Sequence, residues 1–158
     1  MRILVIDDLA EQREYAKQAL AHEEVEVVTA NGWGDGAKAI ESGGWDVVLT
    51  DLSMPGEREG QGDGMRYVGE QTPYGFALAM LALKVGIAKI AVVSNGQADA
   101  NHHSHPIYWA SDSLHGEIIP GRLWVFAGYD CPHLERVEGN DEPWNIKDWA
   151  TILETVTK

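Results

Sequence analysis

The chain has 158 residues, of which 44% are hydrophobic and 23% charged, a composition typical of one soluble globular domain. The net charge of −13 argues against general nucleic-acid binding, because phosphate backbones are bound by clusters of Lys and Arg. A single cysteine excludes an internal disulfide. No apolar run approaches the roughly 20 residues of a membrane span, and Met1 leads into a predicted strand rather than a signal peptide. We therefore expect one cytoplasmic domain over residues 1–158, without membrane or nucleic-acid partners.

Short apolar runs alternate with segments of helical periodicity along the chain, which predicts βαβ units and a parallel sheet. The predicted strands cover about residues 2–7, 25–28, 45–50, 87–94 and 123–126. The predicted helices cover about residues 9–22, 37–42, 76–85 and 146–156. Asp8 with Glu11 resembles a capping box for the first helix, and Asn145 is a candidate N-cap for the last. Two segments, about 56–74 and 95–121, break the alternation and are predicted to be loop insertions.

Five strands of this kind predict a flavodoxin-like three-layer α/β/α sandwich with a parallel sheet in the order 2-1-3-4-5. The first strand ends at Asp7 and Asp8, and the third ends at Asp51. Since ligands bind at the carboxyl edge of such sheets, these carboxylates should converge at one site. At an effective dielectric of ~20 and a spacing of ~4 Å, each ionised pair costs roughly 4 kcal/mol. A hard divalent cation such as Mg²⁺ would offset that cost.

Two segments resemble the signature segments of response-regulator receiver domains. The first is Arg2 to Asp8 and the second is Trp45 to Gly56, which contains Asp51 followed by Met-Pro-Gly. Ile90 to Ser94 is similar to the fourth strand of that family, which ends in Ser or Thr. The similarity covers about residues 1–55, 76–94 and 122–158, and leaves out the two insertions.

The resemblance implies a phosphoryl-acceptor site at the acidic cluster. Asp51 would take a phosphoryl group from a histidine kinase or phosphotransfer protein in two-component (phosphorelay) signalling. Mg²⁺ would be held by Asp7, Asp8, Asp51 and the backbone carbonyl of Ser53. Phosphoryl transfer needs such an in-line nucleophile and a cation that neutralises charge on the equatorial oxygens.

The resemblance also implies a switch that reports phosphorylation. Ser94 would hydrogen-bond to the phosphoryl group, and Phe126 would change rotamer in response. We expect a phosphoacceptor rather than an enzyme, with at most self-phosphorylation and self-dephosphorylation. The chain ends at Lys158 soon after its last helix, so we expect a stand-alone receiver that signals to a downstream protein effector. Formation of a homodimer is left open.

One departure from the family pattern concerns a lysine that usually follows the fifth strand. Tyr129 or Cys131 falls at that position, depending on whether one counts from Phe126 or back from Pro132, and neither is a cation. Losing one charge-assisted hydrogen bond would cost the phosphorylated state roughly 1.5–3 kcal/mol. A cation could instead arrive from elsewhere in the chain, with three candidates: Lys89, Arg122 and Arg58.

Several alternatives remain open from the sequence alone. The absent lysine and the two insertions also fit a phosphorylation-independent pseudo-receiver that acts as a protein-interaction module. A metal-dependent phosphatase would use the same acidic pocket but lacks a recognisable acid–base partner. Ser94 also fits a turn hydroxyl, and Phe126 fits a core aromatic. The cluster His102-His103-Ser104-His105 matches no familiar metal-ligand spacing, so we interpret it as a solvated loop.

Overall fold

A six-stranded, mostly parallel sheet forms the centre of the computed structural model, which describes residues 1–57, 68–94, 113–127, 134–137 and 144–158. The strands in chain order are β1 (Arg2–Ile6), β2 (Glu26–Ala30), β3 (Val47–Asp51), β4 (Met54–Pro55), β5 (Gln71–Thr72), β6 (Lys89–Val93), β7 (Gly116–Ile119), β8 (Leu123–Phe126), β9 (Leu134–Val137) and β10 (Trp144–Lys147). The described helices are α1 (Ala10–Ala19), α2 (Gly32–Ser42), α3 (Tyr74–Lys84) and α4 (Trp149–Thr157).

The five parallel strands lie in the order β2-β1-β3-β6-β8, which confirms the predicted flavodoxin-like fold and its 2-1-3-4-5 order. The strand count differs by one, because β7 joins the edge of the sheet antiparallel to β8. This strand lies at the end of the predicted second insertion. Its four residues are exposed or half-buried, so the segment lacks the apolar run by which the other strands of the sheet were recognised.

The alternation of side chains along each strand divides the core between the two faces of the sheet. On one face, α2 and α3 cover a cluster that includes Leu4, Val48 and Ile90. On the other face, α1 and α4 cover a cluster that includes Leu49 and Phe126. The result is the three-layer arrangement that the sequence predicts. No helix in the described part of the chain is long and apolar enough to cross a membrane.

The predicted starts of three helices were wrong. The helix α2 begins at Gly32 rather than near residue 37, so the predicted turn over residues 32–36 is helical. The predicted N-cap Asn145 lies within β10, and α4 begins only at Trp149, with the Asp148 carboxylate accepting from the Thr151 amide at 3.0 Å. Apolar residues of β10 continue the periodicity of the helix, which made the two elements look like one. In α1 the N-cap is Leu9 rather than Asp8, and since the Leu9 side chain cannot accept a hydrogen bond, no capping box forms. The Asp7 carboxylate accepts from the Leu9 amide at 2.9 Å.

Parts of both insertions carry regular structure. The first is closed at its base by the antiparallel pair β4–β5, and α3 follows directly at Tyr74. The second ends in β7. Three groups of residues singled out from the sequence lie outside the described residues: the His102–His105 cluster, the pair Tyr129 and Cys131, and Arg58.

Candidate functional site

Three carboxylates meet at the carboxyl edge of the sheet, where β1 and β3 are neighbours. Asp7 directly follows β1 and Asp51 is the last residue of β3; the pairing of Ile6 with Thr50 brings them to the same level. One oxygen from each of Asp7, Asp8 and Asp51 lies within 4.8 Å of the other two. Asp7 is fully buried, Asp51 is 7% exposed and Asp8 is half-buried. The structure thus brings together the three acidic residues expected to converge.

A buried lysine completes this cluster. The Nζ atom of Lys147 donates to Asp7 Oδ2 at 2.5 Å and to Asp51 Oδ1 at 2.6 Å. The same ammonium lies over the Trp149 ring, 5.4 Å from its centroid. The expectation that the site lacks a cation after the fifth strand is therefore wrong. The cation is present, but it comes at the end of β10 rather than directly after β8.

The sequence patterns did not identify this lysine. Residues 127–146 separate β8 from Lys147, so counting forward from the strand misses it. The predicted last helix, about residues 146–156, included Lys147, whereas in the structure Lys147 lies two residues before Trp149, the first residue of α4. The cations suggested from the sequence lie elsewhere: Lys89 stands over the Trp124 ring, and Arg122 donates to the Ile87 carbonyl.

Burial and neighbouring charges together set the protonation of the site. Burial raises the pKa of Asp51 to about 7, with the charges of Asp7 and Asp8 adding to the rise and Lys147 opposing it. The pKa of Asp8 is also raised, first by burial and then by Asp7. Burial alone would lower the pKa of Lys147, but Asp51 and Asp7 outweigh it and raise that pKa. Lys147 therefore keeps its proton, whereas Asp51 loses its proton only near neutral pH.

The donor set fits a divalent metal ion such as Mg²⁺. When all four side chains are ionised, three carboxylates and one ammonium leave an excess of two negative charges, which one divalent cation would neutralise. Carboxylate oxygens are the hard ligands that Mg²⁺ prefers.

Asp8, the most exposed of the three, has a side-chain hydrogen bond to Gln71 of β5. The first insertion thus contacts the acidic cluster directly.

Arg13 of α1 holds the backbone of the acidic doublet. Its Nη1 atom donates to the carbonyl oxygens of Asp7 at 2.7 Å and Asp8 at 2.9 Å, and to Asn31 Oδ1 at 3.3 Å. These bonds fix the turn that links β1 to α1. Arg13 was not predicted as a site residue, because an arginine in a helix that follows a strand has no distinctive sequence pattern.

Gly75 allows α3 to pack directly against the backbone of Asp51. Its amide donates to the Leu52 carbonyl at 3.0 Å, and a Cβ atom added at this position would lie 2.2 Å from the Asp51 carbonyl oxygen. No side chain fits in that space. Asp51 is thereby held between β6, which pairs with it through Val93, and the first turn of α3.

The remaining predicted site residues lie on or near the same edge. Ser53 is half-buried and follows Asp51 by two residues. Ser94 follows β6, one residue beyond the partner of Asp51, and its amide donates to the Phe126 carbonyl at 2.8 Å. Phe126 is 3% exposed in the cluster covered by α1 and α4, with its ring edge-to-face with His115. The structure therefore places Ser94 at the edge and Phe126 in the core.

One comparison with known proteins supports the fold. No family model matches the chain, and a search of curated proteins gives no match. Among solved structures, the chain is similar to the response regulator TrrA from Thermotoga maritima, determined in complex with Mg²⁺ and BeF. The identity is 23% and the TM-score 0.50, over 99% of this chain and 96% of that one. The chain has the fold of a response-regulator receiver domain.

Proposed function

We propose that this receiver-fold protein accepts a phosphoryl group on Asp51 in two-component signalling. The observation that carries the proposal is the contact of Lys147 with both Asp51 and Asp7 inside a cluster of three carboxylates. A buried lysine paired with two acids at the carboxyl edge of the sheet is costly for stability alone, because desolvation opposes the Coulombic gain. In phosphoryl transfer, such a lysine would stabilise the negative charge of the transferred group.

The side chains suit each part of the transfer. A carboxylate oxygen of Asp51 attacks the phosphorus of a phosphohistidine in line; the new P–O bond forms as the P–N bond breaks, and the imidazole keeps the electron pair. Lys147 stands beside Asp51, where it would stabilise charge on the transferred phosphoryl oxygens. Asp7, Asp8, Asp51 and the Ser53 backbone carbonyl would hold Mg²⁺, which when bound supplies further neutralising charge.

A histidine kinase or phosphotransfer protein would supply the phosphoryl group, and a downstream protein effector would respond to it. In this proposal the Ser94 hydroxyl donates to a phosphoryl oxygen. The Ser94 amide is bonded to the Phe126 carbonyl, so a shift of Ser94 would be transmitted to β8. This is a local charge event that biases a two-state element.

The experiment is phosphorylation by a small donor followed by intact-mass spectrometry. With acetyl phosphate and Mg²⁺, we expect a mass increase of one phosphoryl group that is absent in Asp51→Asn and in the presence of EDTA. Asp35→Asn is the matched control, since Asp35 is an exposed aspartate in the first turn of α2. No adduct under any donor or metal concentration, or an equal adduct in Asp51→Asn, contradicts the proposal.

The pseudo-receiver alternative is weaker than the sequence alone suggested. Its main ground was a missing cation near Asp51, and Lys147 supplies that cation. The alternative predicts that partner binding is the same for the wild type and Asp51→Asn, with or without acetyl phosphate. Measuring partner affinity for both proteins under both conditions separates the two functions.

A further inference from the structure

Lys147 reaches the acidic cluster from outside the central sheet. It is the last residue of β10, which pairs antiparallel with β9, and among the described strands these two form a separate ribbon. Asp7 and Asp51, by contrast, are fixed at the ends of neighbouring strands of the sheet. The hydrogen-bonded pairing of β1 with β3, which positions the acids, therefore does not position the lysine. Other contacts must do so.

One such contact, to the Lys147 backbone, is made by Gln12 of α1. Its Oε1 atom accepts from the backbone amide of Lys147 at 3.3 Å, although 135 residues separate the two in sequence. Gln12 is 4% exposed, and Lys147 is 2% exposed. Buried polar groups of this kind are normally hydrogen-bonded, and leaving one unpaired is costly. Since Gln12 lies one helical turn after Asp8, the ribbon is fastened to the segment that carries the acidic doublet.

Lys147 has two opposed effects on ligands of the site. Its ammonium repels a divalent cation that binds the same carboxylates, and it attracts the oxygens of a phosphoryl group on Asp51. A residue that merely supports the fold would alter both kinds of binding in the same direction when it is removed. A residue that acts by placing the lysine would alter them in opposite directions.

We propose that Gln12 is a positioning residue for Lys147, which sets how strongly the ammonium competes with Mg²⁺ and how well it engages a phosphoryl group. The part that concerns the phosphoryl group rests on the proposed function above. The part that concerns Mg²⁺ requires only that the acidic cluster binds the ion. Gln12 touches neither ligand in this proposal and acts through its hydrogen bond with the Lys147 backbone.

The test compares Gln12→Met, which removes the acceptor and keeps the side-chain volume, with Gln18→Met, an exposed glutamine on the same helix. Titration calorimetry measures Mg²⁺ alone and then beryllium fluoride, a phosphoryl mimic, at saturating Mg²⁺. For Gln12→Met we expect Mg²⁺ to bind about twofold to fivefold more tightly and beryllium fluoride about fivefold more weakly, the factor of one ordinary hydrogen bond. Gln18→Met should match the wild type in both titrations.

A double-mutant cycle with Lys147→Met makes the proposal falsifiable in several ways. In the Lys147→Met background, Gln12→Met should change neither affinity. The proposal would be overturned if Gln12→Met weakened the binding of both Mg²⁺ and beryllium fluoride. It would also be overturned if Gln12→Met changed the two affinities as much in the Lys147→Met background as in the wild type. If Gln12→Met does not fold, Gln12→Asn, which shortens the amide by one methylene, is compared in the same way.

The Mg²⁺ titrations decide the role of Gln12 even if Asp51 accepts no phosphoryl group. Failure of beryllium fluoride to bind the wild type would count against the proposed function and leave the Mg²⁺ comparison intact. Failure of Mg²⁺ to bind the wild type would contradict both proposals. The thermal unfolding of the same four metal-free proteins checks that each variant folds. The Gln12 bond is made to the Lys147 backbone amide, which Lys147→Met keeps, so the stability losses of the two substitutions should be close to additive.

Discussion

The acidic half of the site and its basic half are held by different kinds of structure. Asp7 and Asp51 stand at the ends of adjacent parallel strands, so the sheet topology alone brings them together. Lys147 stands at the end of a two-stranded ribbon outside that sheet and depends on side-chain contacts with Asp7, Asp51 and Gln12. The position of the carboxylates therefore follows from the fold, whereas the position of the lysine depends on specific bonds that single substitutions can remove.

Removal of the lysine should produce the largest effect. Lys147→Met leaves Asp7 and Asp51 buried without their ammonium, and breaking a buried ion pair from one side costs about 3–5 kcal/mol. We expect a loss of stability of that order in metal-free protein, measured by urea denaturation. Saturating Mg²⁺ should recover part of this stability, because the ion replaces the missing ammonium as the positive charge beside the carboxylates.

The matched control is Lys89→Met, which removes a half-buried lysine that faces the Trp124 ring rather than an acid. It should cost far less and show no recovery with Mg²⁺ beyond that of the wild type. Lys147→Met as stable as the wild type would mean that the basic half of the site is not bound to the acidic half in solution.

The pH dependence of stability tests the charge balance between the two halves. In metal-free protein the folded state keeps the Asp51 proton up to a pKa of about 7, whereas the unfolded chain loses it near 3.8. The unfolded state therefore binds fewer protons in this window, and stability should fall as pH rises through it, by at most about 1.4 kcal/mol per pH unit for one group. Asp51→Asn should flatten this slope, as measured by urea denaturation at a series of pH values.

Mg²⁺ should show the opposite dependence, since it binds the ionised carboxylates. Its affinity is expected to rise with pH and level off above the pKa of Asp51. An affinity for Mg²⁺ that is the same at pH 5 and pH 8 would show that Asp51 carries its charge throughout. In that case Lys147 outweighs the burial of Asp51 more fully than the structure indicates.

A substitution at Gly75 should disturb the acidic half of the site through the backbone of Asp51. In Gly75→Ala, the new Cβ atom would press on the Asp51 carbonyl, so either α3 or Asp51 must move. Overpacking of this kind costs about 1–3 kcal/mol, and we expect a marked loss of acetyl phosphate labelling at Asp51. Gly86→Ala is the control, because it strains a positive φ of 87° in open space away from the site. If both variants lose labelling equally, general instability rather than displacement of Asp51 is the cause.

The sequence predicted the half of the site that depends on topology and missed the half that depends on tertiary contacts. Apolar runs ending in Asp7 and Asp51 were sufficient, because strand order and register follow from the pattern of burial. Lys147 was not recognised, because the family resemblance placed a lysine directly after the fifth strand and the ribbon separates it from that strand. Gln12 and Arg13 could not be identified from sequence periodicity or motifs. Their hydrogen-bond partners are backbone groups that come near only in the folded chain.

Substitutions at the junction between the ribbon and α4 should have the smallest effect on stability. They test whether the position of Lys147 depends on its own bonds or on the start of the helix. Asp148 follows Lys147 directly and caps α4 through the Thr151 amide, so Asp148→Ala should cost about 1 kcal/mol of stability. Asp148→Asn keeps the capping oxygen and should cost little. If the lysine depends on its own bonds rather than on the helix, Asp148→Ala should leave the affinity for Mg²⁺ unchanged. A change in Mg²⁺ affinity that matches Gln12→Met would mean that the start of α4 helps to place Lys147, and the basic half would then share the fixed framework of the acidic half.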